Sequence, residues 1–111
     1  MTFPMTFRKL LFVCSQGQNR SRTGSDLYAR MGYETKCAGV HSSSNPLTAD
    51  MLEWADAVFV FEQDHAREIE LRWPQHGKPV FNFDIWNYRP YGDPALEIEI
   101  KRKMRRWLDE H

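Results

Sequence analysis

Leu10-Leu11-Phe12-Val13-Cys14-Ser15-Gln16-Gly17-Gln18-Asn19-Arg20-Ser21-Arg22-Thr23 is the stretch around which the rest of the chain falls into place. An apolar run stops at a cysteine, a polar loop with one glycine follows, and a helical pattern then opens on arginine and serine. Lys9 to Val13 is continuously apolar after its first residue rather than alternating, which predicts a strand covered on both faces, as in a parallel sheet. A loop running from such a strand into a helix N-terminus turns its backbone N–H groups toward one small volume. The Cys14 sulfur and the Arg20 guanidinium belong to the same volume. The species that fits it is a phosphate or a similar oxyanion.

The spacing, Cys-x5-Arg-Ser, has a chemical reason. An ordinary thiol is mostly protonated at neutral pH and attacks poorly. Oriented N–H dipoles and a fixed cation favour the thiolate. The same N–H groups, from Ser15, Gln16, Gly17, Gln18 and Asn19, would bind phosphoryl oxygens, with Arg20 holding two of them in a bidentate fork. Ser21 stands where its hydroxyl reaches Cys14, steadying the sulfur first as attacker and then as leaving group. The implied reaction is in-line attack of sulfur on phosphorus, followed by hydrolysis of a phosphocysteine. It calls for no metal and no cofactor.

Downstream, strands and helices alternate. Arg20 to Met31 reads as a helix with Leu27, Tyr28 and Met31 inward and Gly32 as its stop. Gly24 inside it costs about 1 kcal/mol relative to alanine, which close helix-to-strand packing would explain. Glu34 to Val40 is a shorter, less apolar strand, hence an edge, and His41 to Ser44 is a loop. Asn45-Pro46 reads as an N-cap with proline in the first turn, opening a helix to Trp54 that buries Leu47, Met51, Leu52 and Trp54. Ala57 to Phe61 is the third strand. Glu62 to Trp73 is a charged amphipathic helix with Ile69, Leu71 and Trp73 inward. Pro79 to Phe83 is the fourth strand, Asp84 to Gly92 an aromatic loop, and Asp93-Pro94 caps a last helix buried along Leu96, Ile100, Met104, Trp107 and Leu108. Its opposite face, Lys101 to Lys103 with Arg105 and Arg106, reads as a solvated basic surface.

This order predicts an α/β class: a single three-layer α/β/α domain spanning 1–111, with a four-stranded parallel sheet and right-handed crossovers. Ligands in such sheets sit at the carboxyl ends of strands near the topological switch point. Cys14 and the Asp84–Gly92 loop both lie at such ends.

Composition narrows the partners. The 111 residues carry 15 basic and 15 acidic side chains, so no global charge calls for a nucleic-acid or membrane partner. The two cysteines form no CxxC pair and no zinc-spaced cluster. Met1 to Phe7 is short and lacks an apolar core long enough for a secretion signal, so Cys14 and Cys37 are expected reduced in the cytoplasm. No apolar run approaches the roughly 20 residues that cross a bilayer. Four Trp, four Tyr and seven Phe are enough for some aromatics to line a pocket.

The chain resembles the low-molecular-weight protein tyrosine phosphatases, especially a compact branch of bacterial predicted tyrosine phosphatases. The resemblance covers almost the whole sequence: Leu11-Phe12-Val13-Cys14-Ser15, Arg20-Ser21 and Thr23, Ala38-Gly39, Asn45-Pro46-Leu47-Thr48, Leu52-Glu53-Trp54-Ala55-Asp56, Val58-Phe59-Val60, Asp84-Ile85 and Pro94. It implies Cys14 as nucleophile, Arg20 as phosphate clamp, Ser21 as thiolate partner and a phosphorylated substrate, either a phosphotyrosine protein or a small phosphoester. A phosphorylated nucleotide or RNA end also satisfies the clamp.

Three departures qualify it. Gly17 stands where the family loop carries a bridging asparagine. Asn19 stands where many relatives have a second, protective cysteine, and Cys37 reads as a buried strand residue rather than a resolving thiol. In the acid loop, relatives read Asp-Ile-Pro-Asp, whereas this chain has Asp84-Ile85-Trp86-Asn87. An amide gives no proton on each turnover, and losing general-acid help costs on the order of 10²–10⁴-fold. Asp84 is the first candidate to take over and Asp93 the second, although Asp93 is better explained as a cap and Asp84 equally fits a structural role, fixing the loop through backbone N–H groups. Trp86, Tyr88 and Tyr91 follow as aromatic walls for an aryl phosphate or as packing for the loop; with Asn87, Trp86 and Tyr88 complete the expected substrate-binding set. The alternatives are a phosphate-binding module whose catalysis has decayed, a phosphocysteine carrier, and an arsenate reductase, for which Cys37 alone makes a poor relay.

Overall fold

The structure, a computed structural model, describes residues 7–86 and 89–110. Strands β1 (Lys9–Cys14), β2 (Glu34–Gly39), β3 (Ala57–Val60) and β4 (Val80–Asn82) alternate with helices α1 (Arg20–Arg30), α2 (Ala49–Trp54), α3 (Gln63–Arg72) and α4 (Pro94–Glu110). All pairings are parallel and the sheet order is β2-β1-β3-β4. The chain therefore leaves β1 to one side for β2 and crosses back to the other for β3. Cys14 ends β1 at that reversal, where the crevice of an open α/β sheet lies.

Alternation along each strand divides the interior in two. Leu10, Phe12 and Cys14 from β1, with Ala57 and Phe59 from β3, face a core that contains Leu27 and Tyr28 of α1 and Leu96, Ile100, Met104 and Trp107 of α4. Leu11 and Val13, with Val58 and Val60, face the other core, closed by Leu52 of α2 and Ile69 of α3. Helices thus cover both faces, which is why β1 and β3 are apolar throughout. The first core is aromatic: Phe12, Phe59 and Phe83 stack, with 5.4 Å between the ring centroids of Phe12 and Phe59 and of Phe59 and Phe83. Gly24 is explained here, since a Cβ on it would lie 2.7 Å from Phe12 Cδ1. The glycine lets α1 approach β1 closely.

Several expected boundaries shift. The α2 cap is Thr48, whose side chain accepts a hydrogen bond from Met51 N. Asn45 and Pro46 do not open the helix; Pro46 instead bridges Gly39 in parallel and prolongs the β2 edge. Met31 and Leu71 point outward, with Leu71 70% exposed. In α3 the inward position falls to His65, beside Ile69, because the helix begins at Gln63 and not with Glu62, which caps it. Among the described residues, no helix is long and apolar enough to cross a membrane.

Candidate active site

The loop between β1 and α1 is held by backbone from three directions. Gly17 has φ +71°, and a Cβ there would lie 2.7 Å from the Ala38 carbonyl carbon and 2.8 Å from Gly39 N. A Cβ on Gly39 would lie 2.6 Å from Ser15 O. Two glycines therefore let the loop and the end of β2 pack backbone against backbone. Val40 N donates to Cys14 O and His41 N to Ser15 O, at 2.9 and 2.8 Å. Asn45, from the β2–α2 connection, donates through Nδ2 to Cys37 O at 2.9 Å and lies against the place a Gly17 side chain would fill. An asparagine thus braces this loop from outside it.

Inside that frame the expected residues meet. The buried Cys14 Sγ receives Gly17 N–H at 3.2 Å and lies 3.1 Å from Ser21 Oγ. Ser21 is fully buried behind the loop, so its hydroxyl is available to donate to a thiolate and to little else. Arg20 is anchored at one end: Nη1 donates to Ile85 O at 2.7 Å and pairs with Glu62 at 2.8 Å. That grip fixes the guanidinium plane beside the cysteine. Asn19 caps α1 without a side-chain hydrogen bond, so its amide does not occupy the first N–H groups of the helix.

A cavity of about 240 Å³ opens over this loop, lined by Cys14, Ser15, Gln16, Asn19, Arg20, Trp86 and Arg89. Its size suits a phosphate and one ring. Of the expected substrate contacts, Ser15, Gln16, Asn19 and Trp86 form its wall; Gly17 is buried beneath and Gln18 stands to one side. Asn87 and Tyr88 lie outside the described residues. Asp84 is exposed, at φ +58°, and is not among the described wall residues; its N–H donates to Asn82 Oδ1 at 2.8 Å. Asp93 Oδ1 accepts from Ala95 N at 2.8 Å, as a helix cap does. Tyr91 is turned to the body: its O–H donates to the Asp26 carboxylate and Arg22 covers its ring at 4.8 Å. The bond to Asp26 holds the Tyr91 proton on and pushes its pKa up.

Two residues in contact with the loop carried no motif. His65, 1% exposed, receives the N–H groups of Phe61 and Glu62 on Nδ1 at 3.3 and 3.1 Å. Nδ1 must then be the unprotonated nitrogen, so Nε2 carries the proton and donates to Ser15 Oγ, 3.1 Å away. Burial pulls the His65 pKa down to about 4; Arg20 adds to the effect and Glu62 opposes it. Glu62, which clamps Arg20, is the cap of the same helix. The start of α3 thus braces both ends of the β1–α1 loop, a role hidden in sequence by an ordinary charged-helix pattern. Cys37 is half-buried and free, its thiol pushed up by burial first and by Asp26 and Cys14 next.

A larger cavity, about 470 Å³, is lined by Leu52, Trp73, His76 and Lys78 among others, and shares no residue with the β1–α1 loop. Among the described residues no group of three or more His, Cys, Asp or Glu side chains gathers to hold a metal ion.

No family model matches the sequence, and no curated protein is significantly similar to it. Solved structures are. The YwlE arginine phosphatase from Geobacillus stearothermophilus superposes with a TM-score of 0.73 at 19% identity, over 93% of this chain and 92% of that one. The tyrosine phosphatase Wzb from Escherichia coli K30, in complex with sulphate, gives 0.70 at 19% identity over 94% and 98%. A low-molecular-weight protein tyrosine phosphatase from Bacillus subtilis gives 0.67 at 20% identity over 92% and 97%. The fold is that of the low-molecular-weight phosphatases. This phosphatase fold extends over nearly the full length of both partners in each superposition.

Proposed function

We propose that this chain is a cysteine-dependent phosphomonoesterase of the protein-tyrosine-phosphatase type. One observation carries the reading: Cys14 Sγ is met at once by Gly17 N–H and Ser21 Oγ, at 3.2 and 3.1 Å, on the floor of a cavity walled by Arg20. The solved structures of this fold include a cysteine-to-serine mutant of the YwlE arginine phosphatase with a phosphorylated active-site serine, and a Wzb structure holding phosphate. They support the assignment of the loop to phosphoryl chemistry.

In this reading the phosphate of an aryl ester sits on the loop, its non-bridging oxygens taken by backbone N–H groups and by Arg20. The Cys14 thiolate attacks phosphorus in line, the S–P bond forms as the P–O bond to the leaving group breaks, and that oxygen leaves with its electron pair. Water then attacks phosphorus, releasing inorganic phosphate and returning the electron pair to sulfur, which the Ser21 hydroxyl steadies. His65, Glu62 and Asn45 are positioning residues. Asp84 is the proposed proton donor to the leaving oxygen, which requires its exposed carboxyl to swing over the cavity mouth. We assign the reaction to the cytoplasm, where the thiol stays reduced.

A second reading, a phosphate-binding module or a phosphocysteine carrier, is favoured by the described cavity wall, which includes no carboxyl group. Turnover of para-nitrophenyl phosphate by wild type, Cys14→Ser and Asp84→Asn separates the two. The enzyme reading expects Cys14→Ser to fall by at least about 10³-fold and Asp84→Asn by about 10²-fold or more at acidic pH. Wild-type turnover no faster than that of Cys14→Ser sinks it. An unchanged Asp84→Asn rate removes Asp84 from the acid role.

A further inference from the structure

Arg89 differs from the arginines of this fold that are held by a carboxylate, Arg20 of the same cavity among them. Arg20, Arg22, Arg30, Arg67 and Arg72 each lie 2.8–4.0 Å from a carboxylate. Arg89 forms neither an ion pair nor a hydrogen bond with any described residue, and its Nε is shut away from solvent without a partner among them. It nevertheless lines the cavity over Cys14, together with Trp86. A cation in a wall with no neutralising group is costly unless an anion enters the cavity.

Geometry decides which part of a substrate that anion belongs to. Sulfur attacks from the loop floor, so the leaving oxygen points the opposite way, to the mouth. Arg20 serves the phosphoryl oxygens on the floor, and its charge is already partly balanced by Glu62 at 2.8 Å. Trp86 and Arg89 are the described wall residues that the segment between β4 and α4 contributes on the side of the leaving group. Trp86 is 69% exposed and lines the cavity together with Arg89, an apolar ring beside a cation.

We infer that Arg89 is the leaving-group contact of this site: it takes a carboxylate carried on or next to the ring, so that the favoured substrates are phosphotyrosines flanked by acidic side chains. This rests on the phosphomonoesterase reading above and specifies its substrate class. Arg89 touches substrate beyond the scissile bond; it donates hydrogen bonds and charge, and no proton leaves it.

The test compares phenyl phosphate with 3-carboxyphenyl phosphate, whose leaving phenols have nearly the same acidity, so the pair isolates the added charge. Wild type should prefer the carboxylated ester by about 10-fold in kcat/KM at low salt, in keeping with a hydrogen bond to a charged group. Arg89→Gln should bring the ratio close to one, Arg89→Lys should retain part of it, and added salt should lower it in wild type. Circular dichroism of each variant confirms that it folds. A wild-type ratio near one, or a ratio that survives in Arg89→Gln, overturns the inference while leaving the hydrolase intact. If no ester is turned over, the failure is that of the enzyme reading. The Arg89 contact is then decided by calorimetry, with benzylphosphonate and its 3-carboxy analogue binding to Cys14→Ser: a preference of about 10-fold abolished by Arg89→Gln upholds the contact, and equal affinities overturn it.

Discussion

The β1–α1 loop and the β4–α4 loop face each other across one small cavity, yet they are built in opposite ways. The first is clamped by β2 backbone against Gly17 and Gly39, by Asn45 from the next connection, and by Glu62 and His65 from the start of α3. Among its described residues the second is tied to α1 by Gly92 N–H to Thr23 Oγ1 at 2.9 Å, Tyr91 O–H to Asp26 and Arg20 Nη1 to Ile85 O, and to the end of β3 by Ile85 N–H to Phe61 O at 2.9 Å. Binding an oxyanion needs N–H groups held rigid before the ligand arrives, since any ordering then would be subtracted from affinity. Admitting different leaving groups needs a side of the pocket that tolerates change. In the function proposed above, the invariant part of the chemistry falls to the sheet and the variable part to the loop.

The left-handed glycine in each of these two loops offers the largest test of that contrast. Gly17 and Gly92 have φ +71° and +77°, but a Cβ on Gly17 meets backbone at 2.7 Å whereas one on Gly92 meets nothing within 4 Å. Gly17→Ala should therefore add overpacking to dihedral strain and cost about 3 kcal/mol, with turnover lost as the loop is displaced. Gly92→Ala carries only the strain, about 1 kcal/mol. Urea unfolding of both measures the difference. Equal losses would mean that the phosphate loop yields as readily as its opposite number.

How much of this is legible in the sequence follows from the range of each interaction. Cys14, Arg20 and Ser21 sit on one strand–loop–helix, so local pattern alone brings them together, and two apolar strands announce a sheet covered on both sides. Asn45 reads as a helix cap because Asn-Pro satisfies that rule locally; the bond to Cys37 O across a strand end is tertiary and overrides it. Thr48, the actual cap, competes with a stronger-looking signal just ahead of it. His65 lies inside a charged helical pattern, and its partner Ser15 is 50 residues away. A histidine in the turn after a glutamate, directly beyond an apolar strand, is the available sign. The aromatic loop does supply the opposing wall through Trp86, but Tyr91 turns to α1 instead of the cavity because Asp26 and Arg22 hold it there.

His65 supplies the next effect in size, and a pH dependence confined to the rigid side. Its folded pKa, about 4, lies below the ordinary 6.5. The unfolded chain therefore binds a proton that the folded one refuses between those values. The stabilisation from neutral His65 is complete above about pH 6.5 and is lost progressively as pH falls to about 4. Its full size is on the order of 3 kcal/mol by the linkage relation. In His65→Asn the amide oxygen takes the place of Nδ1 and still accepts the Phe61 and Glu62 N–H groups, but nothing titrates. Urea midpoints at about pH 7 and about pH 4.5 should separate for wild type by clearly more than for the variant. Parallel losses in both proteins would assign the acid sensitivity to other groups and leave His65 as packing.

The smallest effect belongs to the looser loop. Tyr91 is exposed to 47%, and its contacts are the hydrogen bond to Asp26 and the Arg22 guanidinium over its ring. Tyr91→Phe keeps the ring and its cation contact and removes only the hydroxyl. The remaining Gly92–Thr23 bond still holds the loop end against α1. Global unfolding should therefore be unchanged, because an exposed hydrogen bond to a surface carboxylate competes with water. What should change is local: amide exchange at Gly92 should accelerate severalfold while exchange at Gly17 and Ser21 stays as it was, since openings of the two loops share no contact at this position. If Gly17 exchange rose together with that of Gly92, the two sides of the cavity would open as one unit. The division between a fixed phosphate floor and an adjustable leaving-group wall would then have to be abandoned.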